Sequence, residues 1–124
     1  MLKKIQKDID AETLKNLIIK GIQEKKGIEV VLIDLKQIHN TVCDYFVICH
    51  GNSTTQVSAL AEAVEIGVKK ASGIYPTHKE GHNNAEWIIL DYFDVVVHIF
   101  QESARNFYQL ENLWADAVIQ KIED

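Results

Sequence analysis

The sequence predicts an α/β (α+β) fold, a mixed sheet of about five strands with packed helices, in the order α-β-β-α-β-β-β-α. Apolar residues recur at helical spacing around Leu14, around Leu60 and near the end of the chain. β-Branched apolar runs of strand length begin at Ile28, Val42 and Val95. No internal repeat is present, so the elements belong to one layered domain spanning 1–124.

The first helix should cover about Ala11 to Lys25, with Leu14, Leu17, Ile18 and Ile22 on its buried face and Gly27 as its stop. Ile28 to Leu35 reads as a strand, and Lys36 to Asn40 as a turn. Val42 to His50 is a second strand, and its near-continuous apolar character predicts burial on both faces. Gly51-Asn52-Ser53-Thr54-Thr55-Gln56 ends that strand and opens a helix, with Ser53 and Gln56 at capping-box spacing. The stripe Val57, Leu60, Ala61, Val64, Val68 and Ala71 carries this helix to Gly73. Pro76 marks Ile74 to Glu80 as an edge strand, and His82-Asn83-Asn84 as the loop after it. Trp87–Leu90 and Val95–Phe100 form a hairpin. Ser103 should cap a last helix with Phe107, Leu110, Trp114, Val118 and Ile122 buried, and Tyr108 and Leu113 on its flanks.

Composition bounds the function. With 124 residues, 47% hydrophobic and 25% charged, the chain can bury a normal core. No segment approaches the roughly 20 apolar residues of a membrane span. Charges in Met1–Asp8 argue against a signal peptide, so the expected location is the cytoplasm. The net charge is −5, Arg105 is the single arginine, and the lysines are scattered. Little direct nucleic-acid binding is expected, and an acidic domain suits a basic partner. Cys43 and Cys49 lie six apart in one apolar run, too far for a disulfide, and read as buried thiols.

The hairpin is the leading candidate site. A tight turn at Tyr92-Phe93 would set Asp91 opposite Asp94, Ile89 opposite Val96, and Trp87 opposite His98, all on one face. Ile88, Leu90, Val95 and Val97 would then point toward the helices. Opposed aspartates destabilise each other, a cost that a cationic partner would offset. In the plainer reading they cap the turn. Tyr-Phe is also a poor pair for the positive φ of a two-residue turn.

Other chemistry finds less support. Gly51-Asn52-Ser53 at a helix start could cradle a phosphate, as in a divergent nucleotidyltransferase or nucleotide-binding enzyme. Such an enzyme needs paired carboxylates on the next strand for magnesium, but the chain offers Glu62 and Glu65 on a helix. A capped helix start is the better reading. His78 and His82 are four apart, but Gly81 breaks the helical geometry that a zinc pair needs. His39 and His50 read as loop or strand-end residues, and Trp114 as core. Neither the cysteines nor the histidines show a nucleophile–base pattern. No metal, cofactor or catalytic role is expected.

Several motifs in order resemble the ribosomal silencing factor (Iojap-like) family. They are Asp44-Tyr45-Phe46-Val47-Ile48-Cys49, Gly51-Asn52-Ser53-Thr54, Glu80-Gly81, Glu86-Trp87, Leu90-Asp91-Tyr92, Asp94-Val95-Val96-Val97-His98 and Phe107-Tyr108-x-Leu110-Glu111-x-Leu113-Trp114. The match covers about Ile28 to Asp116. The resemblance implies a nucleotidyltransferase-like fold without the catalytic carboxylates. It further implies binding to ribosomal protein fourteen of the large ribosomal subunit, which blocks joining of the subunits and represses translation, especially under starvation. That partner is basic, as the charge of this chain suits. The family commonly has glycine where this chain has Phe93, and a small polar residue where it has His50. The expected docking set is Trp87 as aromatic anchor, Asp91, Asp94 and Glu111 against basic groups, and Tyr92, His98, Tyr108 and Leu113 around them. An exposed sheet edge would also permit a homodimer.

Overall fold

Helix α1 (Ala11–Glu24) starts where the Asp10 carboxylate accepts the Thr13 backbone N–H at 2.8 Å. Leu14, Ile18, Ile19 and Ile22 are its buried face. The architecture is that of a computed structural model, which describes residues 9–38, 41 and 43–123. The expectations for the chain start, His39, Asn40 and Val42 lie outside these residues. After α1 come β1 (Ile28–Asp34), β2 (Tyr45–Gly51), α2 (Thr54–Ser72), β3 (His78–Glu80), β4 (Trp87–Asp91) and β5 (Val95–Gln101). Then follow α3 (Glu102–Tyr108), a 3₁₀ turn (Leu110–Trp114) and β6 (Val118–Lys121).

The six strands form one mixed sheet in the order β3-β4-β5-β2-β1-β6. Strands β2 and β5 are parallel at its centre, and every other pair is antiparallel. This explains the unbroken apolar runs of β2 and β5, which are covered on both faces. Val47, Cys49, Val95, Val97 and Ile99 point toward α1 and α2 and pack with Ile18, Ile22, Leu60 and Val64. Each such fully buried aliphatic side chain contributes about 1.5–3 kcal/mol. Val31, Ile33, Ile48 and Phe100 point to the other face, under α3, the 3₁₀ turn and the side chains of Leu35, Ile38 and Cys43. Cys43 and Cys49 therefore lie on opposite faces, both free and buried. Burial is the main cause that raises their thiols, to about 11 and about 12.

Helix α2 is capped as its sequence suggests, with Ser53 Oγ accepting the Gln56 N–H at 3.1 Å. The reciprocal bond differs from a capping box. Gln56 Oε1 accepts the N–H of Asn52, at 2.8 Å, one residue before the cap. These bonds engage the Asn52 and Gln56 amides, two of the groups at this helix start that a phosphate could use. At the far end Ser72 is buried rather than Ala71, and Gly73 takes the left-handed conformation at φ 78°. The edge strand after Pro76 is shorter than expected, covering only His78–Glu80.

The last helix departs most from expectation. Gln101, not Ser103, is its N-cap, and it ends after Tyr108, where Gln109 adopts φ 48°. Phe107 is 80% exposed and Val118 65% exposed, so the expected buried stripe does not exist. Val118–Lys121 instead pairs with the free side of β1, Ile119 opposite Ile33. The run Val118-Ile119 suits either state locally, and an unpaired strand edge selects the extended one.

The hairpin turn lies one residue further along than expected. Tyr92 N–H donates to Val95 O at 2.9 Å, leaving Phe93 and Asp94 as the loop. Moving the turn by one residue moves every partner by two, so Trp87 pairs with Phe100, Ile89 with His98 and Asp91 with Val96. The strand faces stay as expected, but Asp91 and Asp94 do not oppose each other. Phe93 holds φ 78°, and the Asp94 N–H bonds back to Tyr92 O at 3.0 Å, a strained γ-turn. Its side chain is 69% exposed. Phe93→Gly should therefore stabilise the fold by about 1 kcal/mol, the relieved left-handed strain exceeding the extra chain entropy of glycine. A denaturant midpoint unchanged or lowered in this variant would contradict that account.

Candidate docking surface

Strands β4 and β5 place Trp87, Ile89, Asp91, Val96, His98 and Phe100 on the face away from α1 and α2. The end of that face nearest α3 is aromatic. The Trp87 ring stacks on Phe100 at 4.8 Å and meets Tyr108 at the same 4.8 Å. Phe46 reaches in from β2 to touch His98 at 4.7 Å and Trp114 at 5.6 Å, both edge to face. The Trp87 indole N–H donates to His98 Nδ1 at 3.1 Å. Tyr108, 52% exposed, carries the cluster to the surface, and Phe107 packs edge to face on it at 5.0 Å while 80% exposed; Leu113, on the 3₁₀ turn that follows, is 74% exposed.

The short α3 and the 3₁₀ turn are held against the sheet by Arg105. Its Nη1 donates to Glu29 O at 2.8 Å, to Ile28 O at 3.3 Å and to His50 Nδ1 at 3.0 Å. Its Nη2 donates to the Glu111 carboxylate at 2.7 Å. One buried guanidinium thus ties the irregular start of β1, the end of β2 and the 3₁₀ turn together. Burial, and then the Arg105 charge, hold the His50 ring below its usual pKa, so it stays neutral and accepts the bond.

Comparison with known proteins identifies the framework. A family model described as "Ribosomal silencing factor during starvation" matches residues 8–124. The chain belongs to the ribosomal silencing factor family. It is similar to the Ribosomal silencing factor RsfS of Halalkalibacterium halodurans, 38% identical over 112 residues, which cover 90% of this chain and 94% of the relative. It also resembles the crystal structure of a Chromobacterium violaceum protein, with TM-score 0.81, 30% identity and coverage of 86% and 88%. A crystal structure from Bacillus halodurans matches with TM-score 0.75 and 35% identity, covering 91% of this chain and 99% of the other. Members of this family regulate and do not catalyse, and this chain is not an enzyme.

The structure separates the residues expected to dock a silencing factor into groups. Trp87 is half-buried, Tyr108 is exposed against it, and Leu113 is exposed on the 3₁₀ turn. Asp91 and Asp94 lie at the opposite end of the hairpin. Asp91 Oδ1 accepts the Phe93 N–H at 2.8 Å, so it caps the turn. The Asp94 backbone carbonyl accepts from Asp44 N–H at 2.8 Å, which joins the turn to β2. Two expectations need correction. Tyr92 is only 5% exposed and packs in the core beneath α1 and α2, because its position in the pleat points it to the opposite face. His98 is on the expected face but 6% exposed, lying under Trp87 and Phe46. Glu111 is already paired with Arg105.

Two contributors escaped the sequence reading. Phe107 was assigned to a buried helical stripe, and only the early end of α3 exposes it. Arg105 stands out in the sequence only as the single arginine; its burial depends on acceptors from β1 and β2, distant in sequence. The remaining histidines lie elsewhere. His78 contacts Glu80 at 2.7 Å on the β3 edge, and His82 approaches Glu65 at 3.6 Å. Glu65 also accepts from Lys79 at 3.1 Å, so this α2 carboxylate belongs to a surface ion-pair group. Among the described residues, no helix is long and apolar enough to cross a membrane.

Proposed function

We propose that this silencing factor acts in the cytoplasm by docking on ribosomal protein fourteen of the large ribosomal subunit, blocking subunit joining and so repressing translation. The observation that carries this reading is the exposed aromatic pair Phe107 and Tyr108 packed on Trp87, followed by the exposed Leu113 of the 3₁₀ turn, in a chain of net charge −5. Trp87, Tyr108 and Leu113 form the apolar centre of the contact, with Phe107 beside them. Asp91 and Asp94 supply negative charge at the far end of the hairpin, and Glu111 adds to it through the oxygen that Arg105 leaves open. His98 supports the surface from beneath, and Tyr92 packs on the other face of the sheet. The contact is to protein more than to RNA. An interface of roughly 800 Å² per partner on a subunit-joining surface excludes the small subunit by occupying its place, with no chemistry required.

The test is co-sedimentation. The protein should pellet with isolated large subunits and not with intact, tightly coupled ribosomes. Equal pelleting with both would count against occlusion. Asp94→Lys should slow association and weaken its salt dependence, since a charge outside the apolar centre acts mainly on encounter. Stopped-flow association rates at low and high salt measure this, and identical rates for variant and parent would remove Asp94 from the contact.

A further inference from the structure

We infer that His98 is a positioning residue of the docking surface: as a neutral imidazole protonated on Nε2, it fixes the Trp87 indole with its polar edge turned inward. The assignment rests on the docking reading above. An indole nitrogen can only donate, so the ring nitrogen that it meets at 3.1 Å must accept. The His98 proton then sits on Nε2, and that atom is buried without a hydrogen-bond partner among the described residues. An unpartnered buried donor is unfavourable, and a phenylalanine would fill the same space between Phe46 and Phe100 without that penalty. What histidine adds at this position is the acceptor for Trp87.

The consequence concerns the chemistry of the contact. The one polar group of Trp87 is satisfied inside the domain, so a partner needs no acceptor there. The indole offers apolar and π surface alone, which suits the aliphatic stems and cationic heads of lysine and arginine. A protonated His98 would donate from both nitrogens and lose this bond. Burial holds its pKa down to about 4, so the acceptor persists at neutral pH.

The experiment compares His98→Phe, His98→Asn and Trp87→Ala in the full chain, each first shown to be folded by circular dichroism and melting. The Asn carboxamide oxygen can stand where Nδ1 stands, whereas Phe offers no acceptor. Binding to isolated large subunits should fall roughly 2- to 12-fold in His98→Phe, the scale of one oriented hydrogen bond, and recover most of that loss in His98→Asn. In ¹H–¹⁵N spectra the Trp87 indole resonance should shift upfield and exchange faster in His98→Phe, and stay near its parental position in His98→Asn. Full binding by folded His98→Phe together with weak binding by Trp87→Ala would overturn the positioning role and leave the docking face standing. Full binding by Trp87→Ala would overturn both. An indole resonance unmoved by His98→Phe, or no rescue by His98→Asn, would also refute the assignment.

Discussion

Arg105→Met should lower the stability of the domain by about 3–5 kcal/mol, the scale for removing one member of a buried polar network. Methionine keeps much of the aliphatic volume, so the loss isolates the guanidinium. Four acceptors lose their donor: the carbonyls of Ile28 and Glu29, His50 Nδ1 and the Glu111 carboxylate. The Arg105 side chain is 8% exposed, so water does not readily replace it. Glu29 adds to the cost, because it holds φ 49° at the irregular start of β1 and Arg105 is what grips its carbonyl. Arg105→Lys should recover only part of the loss, since one ammonium cannot span acceptors that the planar fork reaches together. Urea unfolding of the three proteins gives the values directly. A loss below about 1 kcal/mol for Arg105→Met, on the usual scale of an exposed pair, would mean that the network is solvent-screened and does not hold the 3₁₀ turn.

Trp87→Ala should weaken binding to large subunits by roughly 2 kcal/mol or more, about 30-fold, as expected for a central aromatic anchor. Trp87 is the residue to which the patch is joined, through Phe100 on β5, Tyr108 on α3 and His98 beneath. Truncation removes the contact surface and also leaves His98 Nδ1 without its donor. Because Trp87 is half-buried, the variant will lose stability too, and the two losses must be separated. Binding should be measured well below the melting temperature of the variant, beside Leu113→Ala. Leu113 is 74% exposed and has little packing to lose. Both variants binding at parental strength while folded would move the docking site away from this face.

Much of the fold was legible from local pattern. The first two helices, the first two strands and the hairpin follow from periodicity and from capping by Ser53 and Gly73. The face shared by Trp87 and His98 survived a misplaced turn, because a two-residue change in pairing preserves the pleat. The last twenty or so residues were misread for an identifiable reason: the signal that stops α3 is Gln109 in a left-handed conformation, where glycine would have announced it.

The amino-acid sequence by itself determined the family, the acidic charge, the mixed layering and the face on which the hairpin gathers its aromatic and polar groups. Each of these depends on residue type, order or short-range period. Tertiary structure decided the rest. It buried His98 and Tyr92, engaged Glu111 with Arg105, exposed Phe107, and drew Val118–Lys121 into the sheet. Those outcomes depend on which groups distant in the chain come to lie side by side. A buried donor seeks an acceptor and an open strand edge seeks a partner, and neither demand is written in the local spacing of residues.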